Sequence, residues 1–103
     1  MANNQPTEIT VCPNTNPLVI EIERGEEVLF NSPTQDAELH FPRDPFVDEP
    51  GERWYEVQKG ETLLLTVSQT ARGPYPYMVR CDGSLVGDPG DVPKGGPRII
   101  VRD

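Results

Sequence analysis

The 103-residue sequence predicts an all-β domain, an eight-stranded Greek-key β-sandwich. Three observations carry that reading. Apolar residues alternate with period two in segment after segment, and no stretch bears a helical stripe. Twelve prolines and nine glycines cut the chain into short runs, which favours strands joined by turns over helices. The runs follow one another at the regular, turn-punctuated spacing of a sandwich or barrel.

The strands are justified in order. "TEITVC" (7–12) sets Ile9 and Val11 on one face. "LVIEIE" (18–23) turns Leu18, Ile20 and Ile22 inward and both Glu outward. "EEVLFN" (26–31) is a third strand, and "DAELHF" (36–41) a fourth with Ala37, Leu39 and Phe41 on one face. "WYEV" (54–57), "ETLLLTV" (61–67), "PYPYMVRC" (74–81) and "RIIVR" (98–102) complete the eight. "IEIERGEEVLF" (20–30) and "YEVQKGETLLL" (55–65) align on Gly25 and Gly60. Each has the form of a strand, a turn needing positive φ, and a second strand. Two such units fit the pseudo-symmetric halves of a Greek key.

One domain over 1–103 is expected, with a flexible N-terminus at 1–6 and long loops at 42–53 and 82–96. Loops of that length in a small domain are often functional. The net charge of −8 disfavours DNA, RNA and anionic membranes, and suits a basic protein partner. No apolar run nears the ~20 residues of a membrane span. "MANNQPTEIT" lacks the basic start and apolar stretch of a secretory signal, so the expected location is cytoplasmic; removal of a leader would make it periplasmic or secreted.

The order of parts resembles the cupredoxins, the plastocyanin and azurin superfamily. "IEIERGEEVLFNSP" is similar to that family's strand–turn–strand unit, and "KGETLLLTVSQTARGPYPYMVRC" to its later unit, closed by a Tyr-x-x-x-Cys pattern at Tyr77 to Cys81. A long loop and a final apolar strand follow, so the resemblance spans residues 18–102. It implies a copper site built from one thiolate and two imidazoles, with a weak axial Met. In the family one His precedes or lies within the fourth strand, while the second His and the Met follow the Cys. Residues 82–96 contain neither, and the chain has one histidine, His40. Against the family pattern His40 falls about two residues late; the matching position is nearer Ala37. Alternation puts His40 on the wet side with Asp36 and Glu38, and turns Met78 away from Cys81. The implied copper site is therefore degenerate.

Three roles for Cys81 stand open. It is a buried structural thiol, sharing a face with Tyr77 and Val79; or half of a Cys12–Cys81 disulfide; or a reactive or metal-bound thiolate. The acids Asp44, Asp48, Glu49 and Glu52 match no calcium loop and read as a solvated charge run. One histidine without a nucleophile elbow gives no hydrolytic triad, so no enzyme is expected. Trp54, out of phase with the core, together with Phe46, Val47, Leu85 and Val86 forms a candidate partner surface at one end of the sandwich.

Two functions follow. The first is a copper-free, cupredoxin-like binding or assembly module with a protein partner and no cofactor. The alternative is a small copper-binding or electron-transfer protein using His40 and Cys81, with further ligands from outside the chain.

Overall fold

The computed structural model describes residues 5–12, 14–49, 51–81 and 96–102, and the backbone of 84–86. These residues are strands and turns with no helix, hence none long and apolar enough to cross a membrane. The fold is all-β. The described residues form ten strands in chain order: β1 (Thr7–Thr10), β2 (Val19–Glu23), β3 (Glu27–Asn31), β4 (Ala37–Phe41), β5 (Arg53–Val57), β6 (Thr62–Thr66), β7 (Gly73–Pro76), β8 (Met78–Cys81), β9 (Ser84–Val86) and β10 (Arg98–Arg102). They make three sheets, ordered β1-β3-β6, β2-β10-β7 and β5-β4-β8-β9. β1 runs parallel to β3 and β2 parallel to β10; the other pairs are antiparallel.

Two segments depart from the eight-strand expectation. "PYPYMVRC" breaks at Tyr77, where the chain leaves β10 for β4. Proline has no amide hydrogen to give a ladder, so the stretch holding Pro74 and Pro76 takes a sheet edge as β7. The proline-free half, β8, lies between β4 and β9. The second departure is β9, inside the segment expected to be loop. It pairs antiparallel with β8, Cys81 opposite Ser84. The intervening Asp82-Gly83 dipeptide is a hairpin signal in the sequence. The rest of 82–95, like residues 1–4, lies outside the described residues.

One core collects the inward residues of all three sheets. Ile9, Val28, Phe30, Leu39, Phe41, Val79, Ile99 and Val101 are buried, as alternation requires. At its centre Phe41 stacks on Tyr77, centroids 4.7 Å apart, and Phe30 meets both edge-on. Leu18 is an exception to its expected inward place. It stands before the first ladder pair of edge strand β2 and is 44 % exposed, while Ile20 and Ile22 are buried.

The internal repeat is a repeated turn. Glu26 N donates to Glu23 O at 3.2 Å, and Glu61 N to Gln58 O at 2.9 Å. The third residues, Gly25 and Gly60, have φ of 82° and 80°. A type II turn needs positive φ there, which glycine adopts without Cβ strain. Each glycine N–H also donates to a carbonyl outside its turn, Gly25 to Val67 and Gly60 to Ser32. Each turn delivers the chain from another sheet into the antiparallel β3–β6 pair.

Candidate functional site

The sheet β5-β4-β8-β9 has two faces, and the candidate residues divide between them. On the inner face Val57, Ala37 and Cys81 are cross-strand neighbours. Cys81 is joined to Cys12 by a disulfide that links residues 69 apart, with Cα atoms 5.7 Å apart. Both cysteines are buried. Of the three roles for Cys81, the structure contains the bridge; Cys81 is neither a free buried thiol nor a thiolate. Cys12 follows β1 with φ of 60°, a left-handed backbone that costs a non-glycine residue about 1 kcal/mol or more. Val11 N, bonded to Asn31 O at 2.8 Å, and Thr34 Oγ1, donating to Cys12 O at 3.4 Å, hold that backbone in place.

His40 belongs to the other face. It pairs across the ladders with Trp54 and Met78, whereas the residue opposite Cys81 is Ala37. Period-two geometry therefore sends the imidazole and the sulfur to opposite sides of the sheet. His40 and Cys81 are not brought together. The resemblance in the sequence implies copper, but these donors do not fit it. The sulfur is bonded to sulfur, its cross-strand neighbour is an alanine, and the one imidazole lies behind the sheet. Among the described residues no three His, Cys, Asp or Glu side chains converge as a metal group.

The outer face is a small grid. One row is Trp54, His40 and Met78; the next is Glu56, Glu38 and Arg80. His40 stacks on Trp54 with centroids 4.1 Å apart and planes 19° apart. Its Nε2 meets a carboxylate oxygen of Glu52 at 2.5 Å. The face parity of His40 is as alternation gives it, but the ring is not solvated: its side chain is 13 % exposed because Trp54 covers it. Arg80 places its guanidinium 5.7 Å from the Trp54 ring and 3.5 Å from Glu38. Trp54 itself stays 49 % exposed.

The expected partner surface is divided. Phe46 turns inward and packs edge-on against Phe30, Phe41 and Tyr55. Val47 is half-buried and lines a cavity of about 220 Å³ with Arg43, Asp44 and Tyr75. Of the described side chains in this set, Trp54 is the one on the outer grid. Register places Leu85 opposite Arg80 and Val86 opposite Val79, but the side chains of both lie outside the described residues.

Three of the acidic loop's four carboxylates, Asp48, Glu49 and Glu52, are exposed, as a solvated run requires; Asp44 is not. Asp44 is buried; it accepts the Phe46 amide at 2.8 Å and the Tyr55 hydroxyl, with Arg53 Nε 3.5 Å away. Asp48 accepts from Ser68 Oγ at 2.5 Å. With Glu52 on His40, three acids go to three different partners. Burial, then the Asp44 hydrogen bond and charge, push the Tyr55 phenol above its ordinary value; Arg53 opposes them. Burial raises Tyr77 as well. Sequence reasoning missed the buried role of Asp44, although Asp before Pro45 is a turn signal: its side chain accepts from the amide two residues on.

No family model and no curated protein matches the chain. Solved structures do. Amicyanin from Paracoccus versutus (Thiobacillus versutus) superposes with a TM-score of 0.63 at 14 % identity, covering 98 % of this chain and 85 % of that one. The oxidised state of a proline variant of amicyanin gives a TM-score of 0.67 at 13 % identity, covering 98 % and 86 %. A Cu(I) structure of a methionine variant gives 0.64 at 14 % identity, covering 94 % and 82 %. The fold is thus that of the cupredoxins over nearly the whole chain; identities this low show the fold alone.

Proposed function

We propose that this cupredoxin-fold protein is a copper-free binding module, in which a disulfide holds the sulfur that a blue-copper centre would need. One observation carries the reading: Cys81 is bonded to Cys12 and faces Ala37, with the single histidine on the reverse of the sheet. A type 1 centre takes a thiolate and two imidazoles. The same bond supports an oxidising compartment, periplasmic or secreted, over the cytoplasm. A protein partner is the class that the acidic surface suits best.

The second reading, copper binding or electron transfer, is favoured by the fold itself, which is that of amicyanin. Cupric titration separates the two. The protein as purified, and again after reduction, is expected to develop no intense visible thiolate-to-copper band and to bind no tight equivalent. A band at one equivalent of copper, lost in Cys81→Ser, would hand the function to the second reading.

A further inference from the structure

The outer grid supplies an occupant for the module and rests on the copper-free reading above. Strand β5 is a sheet edge, paired with β4 and with no other described strand. It presents Trp54 and Glu56 outward at alternate positions. Trp54 stacks one ring face on His40 and already receives the Arg80 guanidinium, yet half its surface is exposed. An indole is the best aromatic acceptor for a cation.

Charge decides what kind of segment fits. The grid and its margin carry Glu38, Glu52 and Glu56 against Arg80, which is itself matched by Glu38 at 3.5 Å, and Arg53, which is turned to the buried Asp44 at 3.5 Å. A cleft of about 230 Å³ opens at the end of the grid, lined by Asp36, Glu38, Glu56, Gln58 and Arg80. A second copy of the chain would bring another net charge of −8 to the same place, which like-charge repulsion opposes.

We propose that this face docks an extended basic segment of a partner protein, one Arg or Lys side chain seated against Trp54 and another beside Glu56. An added strand along β5 would space its alternate side chains to meet these two residues.

Trp54 is the only tryptophan, so its fluorescence reads this face alone. The probe is an alternating Thr/Arg heptapeptide, with the Thr/Glu counterpart and maltohexaose as controls. A saturable change with the basic peptide alone is expected, weakened by added salt. Glu56→Gln is expected to weaken it about two- to fivefold, the scale of one exposed charge pair. Trp54→Ala, followed by calorimetry, is expected to abolish the binding heat, while its circular dichroism stays that of the parent because the side chain is half exposed. No response to the basic peptide, undiminished binding to folded Trp54→Ala, or a response to the sugar instead would each overturn the assignment. If the peptide fails and the protein takes up no copper, the surface assignment falls and the copper-free reading survives. A blue protein removes that reading whatever the peptide does.

Discussion

At the scale of the residue, Asp44 carries more of the structure than its place in an acidic stretch implies. It bonds the Phe46 amide and the Tyr55 hydroxyl and so ties the 42–52 loop to β5. Asp44→Ala leaves both donors without this acceptor, and a loss of about 2–4 kcal/mol in urea unfolding is expected. Tyr55→Phe removes one bond and is expected to cost about 1 kcal/mol. The phenols also set an alkaline limit. Tyr55 and Tyr77 hold their protons more tightly in the fold than in the unfolded chain, where ionisation falls near pH 10. Their contribution is complete below that pH. It declines as pH rises further, because the unfolded chain then releases protons that the fold retains. The urea midpoint is expected to fall above about pH 10, less steeply in Tyr55→Phe. A midpoint unchanged to about pH 11.5 would contradict this. Parity in the sequence fixes the face of His40, but not its cover. Trp54 reaches it from the neighbouring strand, and period two says nothing of which residue lies opposite.

At the scale of the element, the strands were legible because alternation and turn glycines agree. The two aligned glycines predict equal turns, and the turns have the same hydrogen bond and nearly the same φ. Their surroundings differ. A Cβ at Gly60 meets nothing within 4 Å, whereas one at Gly25 would come within 2.8 Å of Gln69 Nε2. Gly60→Ala is expected to cost about 1 kcal/mol from backbone strain alone. Gly25→Ala is expected to cost as much or somewhat more, since the end of a flexible glutamine can move aside. Unfolding of both variants checks this, and a stabilised Gly60→Ala would contradict it. Less legible was where the chain changes partner. Nothing in the period of "PYPYMVRC" marks Tyr77 as a break; the prolines did, by excluding their half from a sheet interior. The β8–β9 pairing was hidden by the Gly- and Pro-rich stretch around it, although Asp-Gly is a turn signal in the sequence.

At the scale of the whole molecule, three sheets share one core, and the disulfide ties the end of β1 to the end of β8. Alternation foretells which residues enter that core, but sequence leaves the bridge as one choice among three. Deciding it requires knowing that positions 12 and 81 fall 5.7 Å apart, a tertiary fact. Likewise the failure of His40 to meet Cys81 is a matter of register between β4 and β8. Closing so long a loop restricts the unfolded chain, so reduction is expected to remove about 4–5 kcal/mol, read as a lower urea midpoint. In the oxidised protein the disulfide withholds the Cys81 sulfur from copper, as the placement of His40 withholds the imidazole, and thiol counting tests that bond directly. Protein purified without reductant, denatured and titrated for thiols, is expected to show none, then two per chain after reduction. Two free thiols in the unreduced protein would contradict the central claim.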